Sequence, residues 1–248
     1  MTVSRLRSLL MLALGLAVSA GVGAAKVVEV LYTENPPLIC ARNGELDCIA
    51  GNLMKAAARA GGFTLRAREV PWSRARGMLE SLPNAIFAST GRNEFSESHF
   101  NWYFQVYTDD VFIWTLRDKK IRSDADIAKL DKINVRRGSP FGAYLEKRGF
   151  GSKIYETNDW IQGVHMMELG RVDGQCYTGL IGRQNIIESR KIPETIVNRY
   201  KVGELSWYLN ARPNGPLSPD LVAFKRLLEA EKGAPAFQGV LKKYGVRS

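Results

Sequence analysis

The sequence predicts an α/β protein built as two lobes, each a mostly parallel sheet flanked by helices, with two crossing segments between them. Three observations carry this. β-rich runs alternate with runs of helical period along most of the chain, an order that favours parallel strands joined by helical crossovers. Tyr103 to Leu116 (YFQVYTDDVFIWTL) reads as extended for longer than one ordinary strand, as a passage between two bodies requires. A second α/β set beyond it repeats the organisation of the first without copying its residues.

The chain begins with basic Arg5 and Arg7, an apolar run from Leu9 to Val18, and small residues Gly23, Ala24 and Ala25. This is the pattern of a cleavable export signal over residues 1–25, with cleavage expected after Ala25. The apolar run is too short to cross a membrane as a helix. No cysteine stands near the cleavage point to carry a lipid, and nothing after Lys26 is apolar for long enough to insert. An exported, soluble monomer of residues 26–248 is expected.

The formal net charge of +10 raises the prior for anionic ligands. Nucleic acid is not the expected partner, because the chain has no Lys/Arg block and no basic helix with interleaved aromatics. The short clusters Arg66/Arg68, Arg74/Arg76 and Arg136/Arg137 read as solvated faces. Of the three cysteines, Cys40 and Cys48 flank the turn-rich Ala-Arg-Asn-Gly-Glu-Leu-Asp, which folded back as a hairpin brings the two sulfurs together. Export permits that bridge. Cys176 is left over, in a strand where a buried free thiol is the usual outcome. His99 and His165 lack ligand-like spacing and neither adjoins a cysteine, so no metal and no cofactor is expected.

Lys26 to Tyr32 reads as the first strand, and Thr33-Glu-Asn-Pro-Pro37 must leave it as a loop, since two prolines cannot continue a ladder. Leu53, Met54, Ala57 and Ala60 recur at helical spacing, with Gly61-Gly62 as the stop. Phe63 to Val70 alternates as a strand. After Pro71-Trp72, Ser73 is placed to cap a helix bearing Met78, Leu79 and Leu82. Ala85 to Ala88 is a short buried strand that delivers Ser89-Thr90-Gly91-Arg92 to its carboxyl end, where ligands bind in such sheets.

Beyond the long extended run, Ile127 and Leu130 suggest a short helix and Lys132 to Arg136 a strand. Gly138-Ser139-Pro140 then opens a helix, with Ser139 as the expected N-cap and Pro140 at the first helical position. Ile154-Tyr155 is a strand, and Asn158 or Asp159 caps the helix of Ile161, Val164 and Met167. Gln175-Cys176-Tyr177 is a strand, and Val202 to Leu209 is the returning crossover. Ser218-Pro219 opens a helix with Leu221, Phe224, Leu227 and Leu228, and Ala234 to Tyr244 forms the last one.

Several stretches, in this order and spacing, resemble the bacterial periplasmic solute-binding proteins that serve ABC importers of amino acids and similar polar solutes. They are Tyr32-Thr-Glu-Asn-Pro-Pro-Leu38, Gly51-Asn-Leu53, Pro71-Trp72, Ala88-Ser-Thr-Gly-Arg92, Arg137-Gly-Ser139, Gly170-Arg-Val-Asp173 and the terminal Lys242-Lys-Tyr244. The resemblance implies the two-lobed, type II periplasmic-binding fold, closing on a solute about two hinge segments. Lobe 1 would hold residues 26–107 and 206–248, and lobe 2 residues 108–205. It also implies an ABC permease as partner and a small-molecule carboxylate as ligand. Arg92 matches the arginine with which family members grip that carboxylate, assisted by groups matching Ser89, Thr90, Gly138 and Ser139.

The chemistry of the residues agrees, because an arginine fork meets a planar carboxylate in two parallel hydrogen bonds at any accessible pH. Tyr32 and Trp72 are the candidate apolar walls. One departure stands out: where amino-acid binders of the family carry an acid for the ligand's ammonium group, this chain has Thr178. Glu34 or Asp159 would have to supply that charge, or the ligand is a carboxylate without an α-amino group. An exported, dehydratase-like enzyme on the same scaffold and a ligand-sensing adaptor are the alternatives. Without a Ser-His-Asp set, a Cys-His pair or a metal cluster in the sequence, binding without catalysis is the expectation.

Overall fold

A computed structural model describes residues 26–246 apart from 94, 95 and 118, and apart from the side chains of Ser89 and His99. The expected export signal lies outside the described residues. Strand β1 (Lys26–Tyr32) is followed by a loop and then a small hairpin of β2 (Cys40–Arg42) and β3 (Glu45–Asp47). The turn is Asn43-Gly44, both with positive φ (52° and 79°), the pair that matches the twist of a two-residue hairpin. Cys40 lies opposite Asp47, so Cys48 stands one residue past the ladder, and the two cysteines are disulfide-bonded with Cα atoms 5.5 Å apart. The pairing expected from the turn-rich segment is borne out.

Helix α1 (Cys48–Gly61) buries Leu53, Met54 and Ala57 and ends at Gly62 in the left-handed conformation, φ 66°. Strand β4 (Phe63–Glu69) then runs parallel to β1. Helix α2 (Trp72–Ser81) starts directly after Pro71 with no side-chain cap, two residues earlier than a Ser73 cap would allow. Strand β5 (Ala85–Gly91) runs three residues past its apolar core. Pairing holds it extended, with Thr90 opposite Tyr208 and Gly91 opposite Trp207 of a later strand.

The expected crossing is a single strand, β6 (Asn101–Leu116). Its polar Thr108-Asp109-Asp110 does not interrupt it, because those residues pair with Ser206, Leu205 and Glu204 of the last strand. Helix α3 (Asp124–Ala128) is capped by Ser123, whose hydroxyl accepts from the Asp126 N–H. Strand β7 (Ile133–Arg136) precedes α4 (Phe141–Lys147), which has no side-chain cap. Ser139 is therefore not the N-cap that its place before a proline suggests. Its N–H closes a turn onto the Arg136 carbonyl at 3.0 Å, and the helix begins two residues later.

Strand β8 (Ile154–Thr157) leads to α5 (Trp160–Glu168), capped by the Asp159 carboxylate, which accepts from the Gln162 N–H at 2.7 Å. Strand β9 (Gly174–Thr178), helix α6 (Gly179–Gly182) and the long β10 (Val197–Ala211) follow. Helix α7 (Pro219–Gly233) carries the expected Ser218 cap and Pro219 start, and α8 (Pro235–Lys243) closes the fold. Asp173, just ahead of β9, accepts from the N–H groups of Asp131 and Lys132 at 2.5 and 3.1 Å and from Lys119. Burial pushes its carboxyl up, but those hydrogen bonds outweigh burial and leave it below the ordinary value. It is a structural residue.

The strands form one sheet in the order β4-β1-β5-β10-β6-β9-β7-β8. β4, β1 and β5 are parallel to one another, as are β9, β7 and β8. Between the two trios lie β10 and β6, antiparallel along most of their length, with β10 pairing to β5 and β6 pairing to β9. The expected lobe boundaries at 107/108 and 205/206 fall within these two central strands. The mixed α/β class with mostly parallel sheets is as the sequence predicts. Cys176 is a buried free thiol, its pKa pushed up by burial. Among the described residues no helix is long and apolar enough to cross a membrane.

Candidate functional site

Three strands of one parallel trio and two of the other, which runs the opposite way, end on one cleft. The segments that follow them bring in Asn35 after β1, Pro71 and Trp72 after β4, Thr90, Gly91 and Asn93 at the end of β5, Arg136 to Pro140 after β7, and Asn158 and Trp160 after β8. Trp207 of β10 completes the lining, and the cleft has a volume of about 990 Å³. Side chains from both parallel trios thus face one space beyond the carboxyl ends of the strands, the place where open α/β sheets bind ligands.

What distinguishes this cleft is its unpartnered polar groups. Asn35 Oδ1, Thr90 Oγ1, Ser139 Oγ, Trp160 Nε1 and Trp207 Nε1 are all buried without a hydrogen-bond partner. Asn35, Thr90 and Trp207 are 2 %, 3 % and 2 % exposed. Each such group left without a partner costs on the order of 1–3 kcal/mol, so a molecule that satisfies several of them gains what the fold forgoes. A second cavity of about 900 Å³, lined by a different set of residues, includes none of these five. Some of its charges are paired within the protein: Lys201 with Asp110 and Glu204 at 2.6 and 2.9 Å, and Arg183 with Glu194 at 3.2 Å.

The floor below β7–β9 is aromatic. Trp160 packs on Tyr177 with ring centroids 4.1 Å apart, and Tyr177 packs on Phe141 at 5.4 Å. Arg136 lies over the Trp160 ring at 5.0 Å and makes no ion pair or side-chain hydrogen bond among the described residues. A buried amide network holds the floor in place. Gln175 donates to Asn134 Oδ1 at 3.1 Å, and the Asn134 amide donates to Thr157 Oγ1 at 3.1 Å and to the Tyr155 carbonyl at 3.0 Å. Gly163 makes room for it, since a Cβ there would come within 2.0 Å of Asn134 Oδ1.

Of the residues singled out from sequence, the structure brings Trp72, Thr90, Gly138 and Ser139 to the cleft. Trp72 serves as both plug and wall: half-buried, it packs edge-on against Phe100 at 6.0 Å. The side chain of Ser89 lies outside the described residues. Arg92 is elsewhere. Its neighbours Gly91 and Asn93 line the cleft, whereas its guanidinium grips Glu97 in two hydrogen bonds of 2.8 and 2.5 Å and lies over the rings of Trp102 and Tyr208. Those hydrogen bonds push the arginine pKa further up and hold the Glu97 carboxyl below its ordinary range.

Tyr32 is 7 % exposed and, with Val28 and Val30 of β1, belongs to the main hydrophobic core that also takes in residues of α1 and α7. Glu34 accepts from the Ala41 N–H at 2.8 Å and so clips the small hairpin to the β1 loop. Asp159 is occupied as the α5 cap. Thr178 is fully buried at the end of β9, beside the other cavity's Gly179. Arg136, read from sequence as part of a solvated pair, is a cation of the cleft that has no acid partner among the described residues. Its neighbour Arg137 pairs with Glu156 at 3.1 Å. Trp160 stands after β8 much as Trp72 stands after β4, a parallel that was legible in the sequence. Trp207 sits inside a strand and carried no signal.

No protein-family model and no curated protein matches the sequence. Solved structures do match over nearly the whole chain. A histidine kinase sensor domain with similarity to periplasmic binding proteins aligns at TM-score 0.73 and 18 % identity, covering 89 % of this chain and 96 % of that one. The chain has the periplasmic-binding-protein fold. An ABC uptake transporter substrate-binding protein from Streptococcus pneumoniae, solved with bound histidine, aligns at TM-score 0.74 and 12 % identity over 89 % of this chain and 92 % of that one. An ancestral amino acid-binding protein, a precursor of cyclohexadienyl dehydratase, aligns at 0.72 and 16 % over 88 % and 95 %. At these identities the likeness concerns the fold, and the fold is the one implied by the order of landmarks in the sequence.

Proposed function

We propose that this periplasmic-binding-protein-like chain is an exported solute-binding protein that captures a small carboxylated solute between two lobes, without turnover, for an ABC permease. The carrying observation is the set of five buried, unpartnered polar groups on a single cleft at the strand ends. Hydroxyls, indoles and an amide bind and orient a solute, and none of them moves protons at neutral pH. Arg136 supplies the fork for a carboxylate. The lobes are residues 26–107 with 206–248 and residues 108–205, hinged in β6 and β10. Groups from both lobes, Thr90 on one side and Arg136 and Ser139 on the other, meet the same solute and favour closure. The leader pattern at residues 1–25 and the fold's kinship with periplasmic proteins support a periplasmic location.

The test is a ligand screen with the purified chain, following thermal shift and the fate of each compound together. A solute at a hundred times its Kd stabilises by about 2.7 kcal/mol, or roughly 5–11 °C for a chain of this size. A compound that stabilises the protein and is recovered unchanged supports the proposal. Conversion of the compound would instead make the chain an enzyme, and retention of full affinity after replacing both Arg136 and Trp160 by Ala would remove the cleft as the site.

A further inference from the structure

We infer that the solute is an organic acid with a flat apolar body and no ammonium group, of the class of hydroxy-substituted aromatic carboxylates, in preference to an α-amino acid. This rests on the solute-binding reading above and narrows it. The cleft has an anion-binding end: Arg136, free of any acid among the described residues, with the buried Ser139 hydroxyl three residues on. Among the described residues it has no matching cation-binding end. An ammonium buried in such a site needs a carboxylate, since a desolvated charge without a counter-charge is strongly disfavoured.

Among the described residues, every acid near the cleft is already engaged or in water. Glu156 pairs with Arg137 at 3.1 Å, Glu34 accepts from the Ala41 N–H at 2.8 Å, and Asp159 caps α5. Asp109 belongs to the other cavity, where it accepts from the Leu180 N–H at 2.9 Å. Glu146 lines the cleft but is exposed, so a pair with it would be screened by solvent.

The remaining groups describe a neutral, planar partner. Trp160 Nε1 and Trp207 Nε1 can only donate, and the Thr90 and Ser139 hydroxyls can do either. Asn35 Oδ1 is the lone group among the five that can only accept, which suits a hydroxyl, and none of the five carries the negative charge that a buried ammonium needs. The rings of Trp72, Phe141, Trp160 and Trp207 line the space between, and aromatic faces reward a flat apolar body.

The deciding experiment is titration calorimetry of the purified chain with 4-hydroxybenzoate and benzoate against L-phenylalanine, L-glutamate and L-arginine, repeated on Arg136→Ala and Arg136→Lys. The expected result is 4-hydroxybenzoate bound about tenfold or more tighter than any amino acid, since the amino group adds an unpaired buried charge. Arg136→Ala should weaken that binding about thirtyfold or more while the ligand-free melt is unchanged, and Arg136→Lys should restore part of the loss. An L-amino acid binding as tightly as the aromatic acids would overturn the inference and leave solute binding intact. Aromatic acid binding that is indifferent to Arg136 would overturn the assigned anchor and the inference with it. If nothing in the panel binds, the inference fails, and the solute-binding reading is decided by the wider ligand screen.

Discussion

Removing the Cys40–Cys48 bridge tests how the fold builds one wall of its cleft. The two cysteines are separated by 8 in sequence, and closing a loop of that length removes unfolded-state entropy equivalent to about 2.5 kcal/mol at 25 °C. The bridge clips a hairpin that Glu34 also holds, through the Ala41 N–H at 2.8 Å. The same loop presents Asn35, whose N–H and carbonyl both bond to Ile39, at 3.0 and 3.1 Å. The double variant Cys40→Ala/Cys48→Ala is therefore expected to lose about 2.5 kcal/mol. With an m-value of about 2.5 kcal/mol/M for a chain of this size, the urea midpoint falls by roughly 1 M. Because Asn35 is tied to the cleft through the same loop, ligand affinity should fall as well. A midpoint unchanged within error, measured by circular dichroism on oxidised wild type and variant, would refute the loop-entropy argument. A lowered midpoint with ligand affinity intact would refute the link from hairpin to cleft.

Four further outcomes are expected. Thiol titration of the oxidised, denatured chain should find the single thiol of Cys176, since Cys40 and Cys48 are bridged. Asp109→Asn should raise the melting temperature at pH 7. Burial raises the folded-state pKa of Asp109 above its ordinary 3.8 despite the Leu180 N–H, so its ionisation costs stability as pH climbs from 3.8 through the folded-state value, and wild type and variant should converge below pH 3.8. Gly182→Ala should destabilise by about 1–3 kcal/mol in urea, because its Cβ would come within 2.3 Å of the buried Trp114 ring. Arg92→Ala should reduce ligand affinity less than Arg136→Ala, since the Arg92 guanidinium is held by Glu97; calorimetry on the two variants with one ligand checks the order.

Much of the fold was legible because local chemistry decides it. The Asn-Gly turn selects a hairpin, Ser218-Pro219 starts a helix with both its cap and its fixed φ, and Gly62 takes the left-handed φ that ends α1. Where expectation and structure parted, a distant partner intervened. Ser139 had the residue type of a cap, yet the helix starts two positions on and its hydroxyl is buried without a partner beside the cleft. The polar Thr108-Asp109-Asp110 looked like a break until β10 was found paired to it.

The candidate site was less legible, for a reason that sits at Arg92 and Arg136. Both are arginines at the end of a strand, and nothing in the flanking residues says which finds an acid. Glu97 lies five residues after Arg92 and captures it, while Arg136 settles over Trp160 without one. The sequence by itself determined the order of strands and helices, the disulfide and the strand ends where a ligand would sit, because propensity, turn chemistry and periodicity act over a few residues. Only the tertiary structure decided which charges are neutralised and which polar groups stay unpartnered, because the cleft is assembled from segments as far apart as Thr90 and Trp207, and hydrogen bonding is settled by proximity in space.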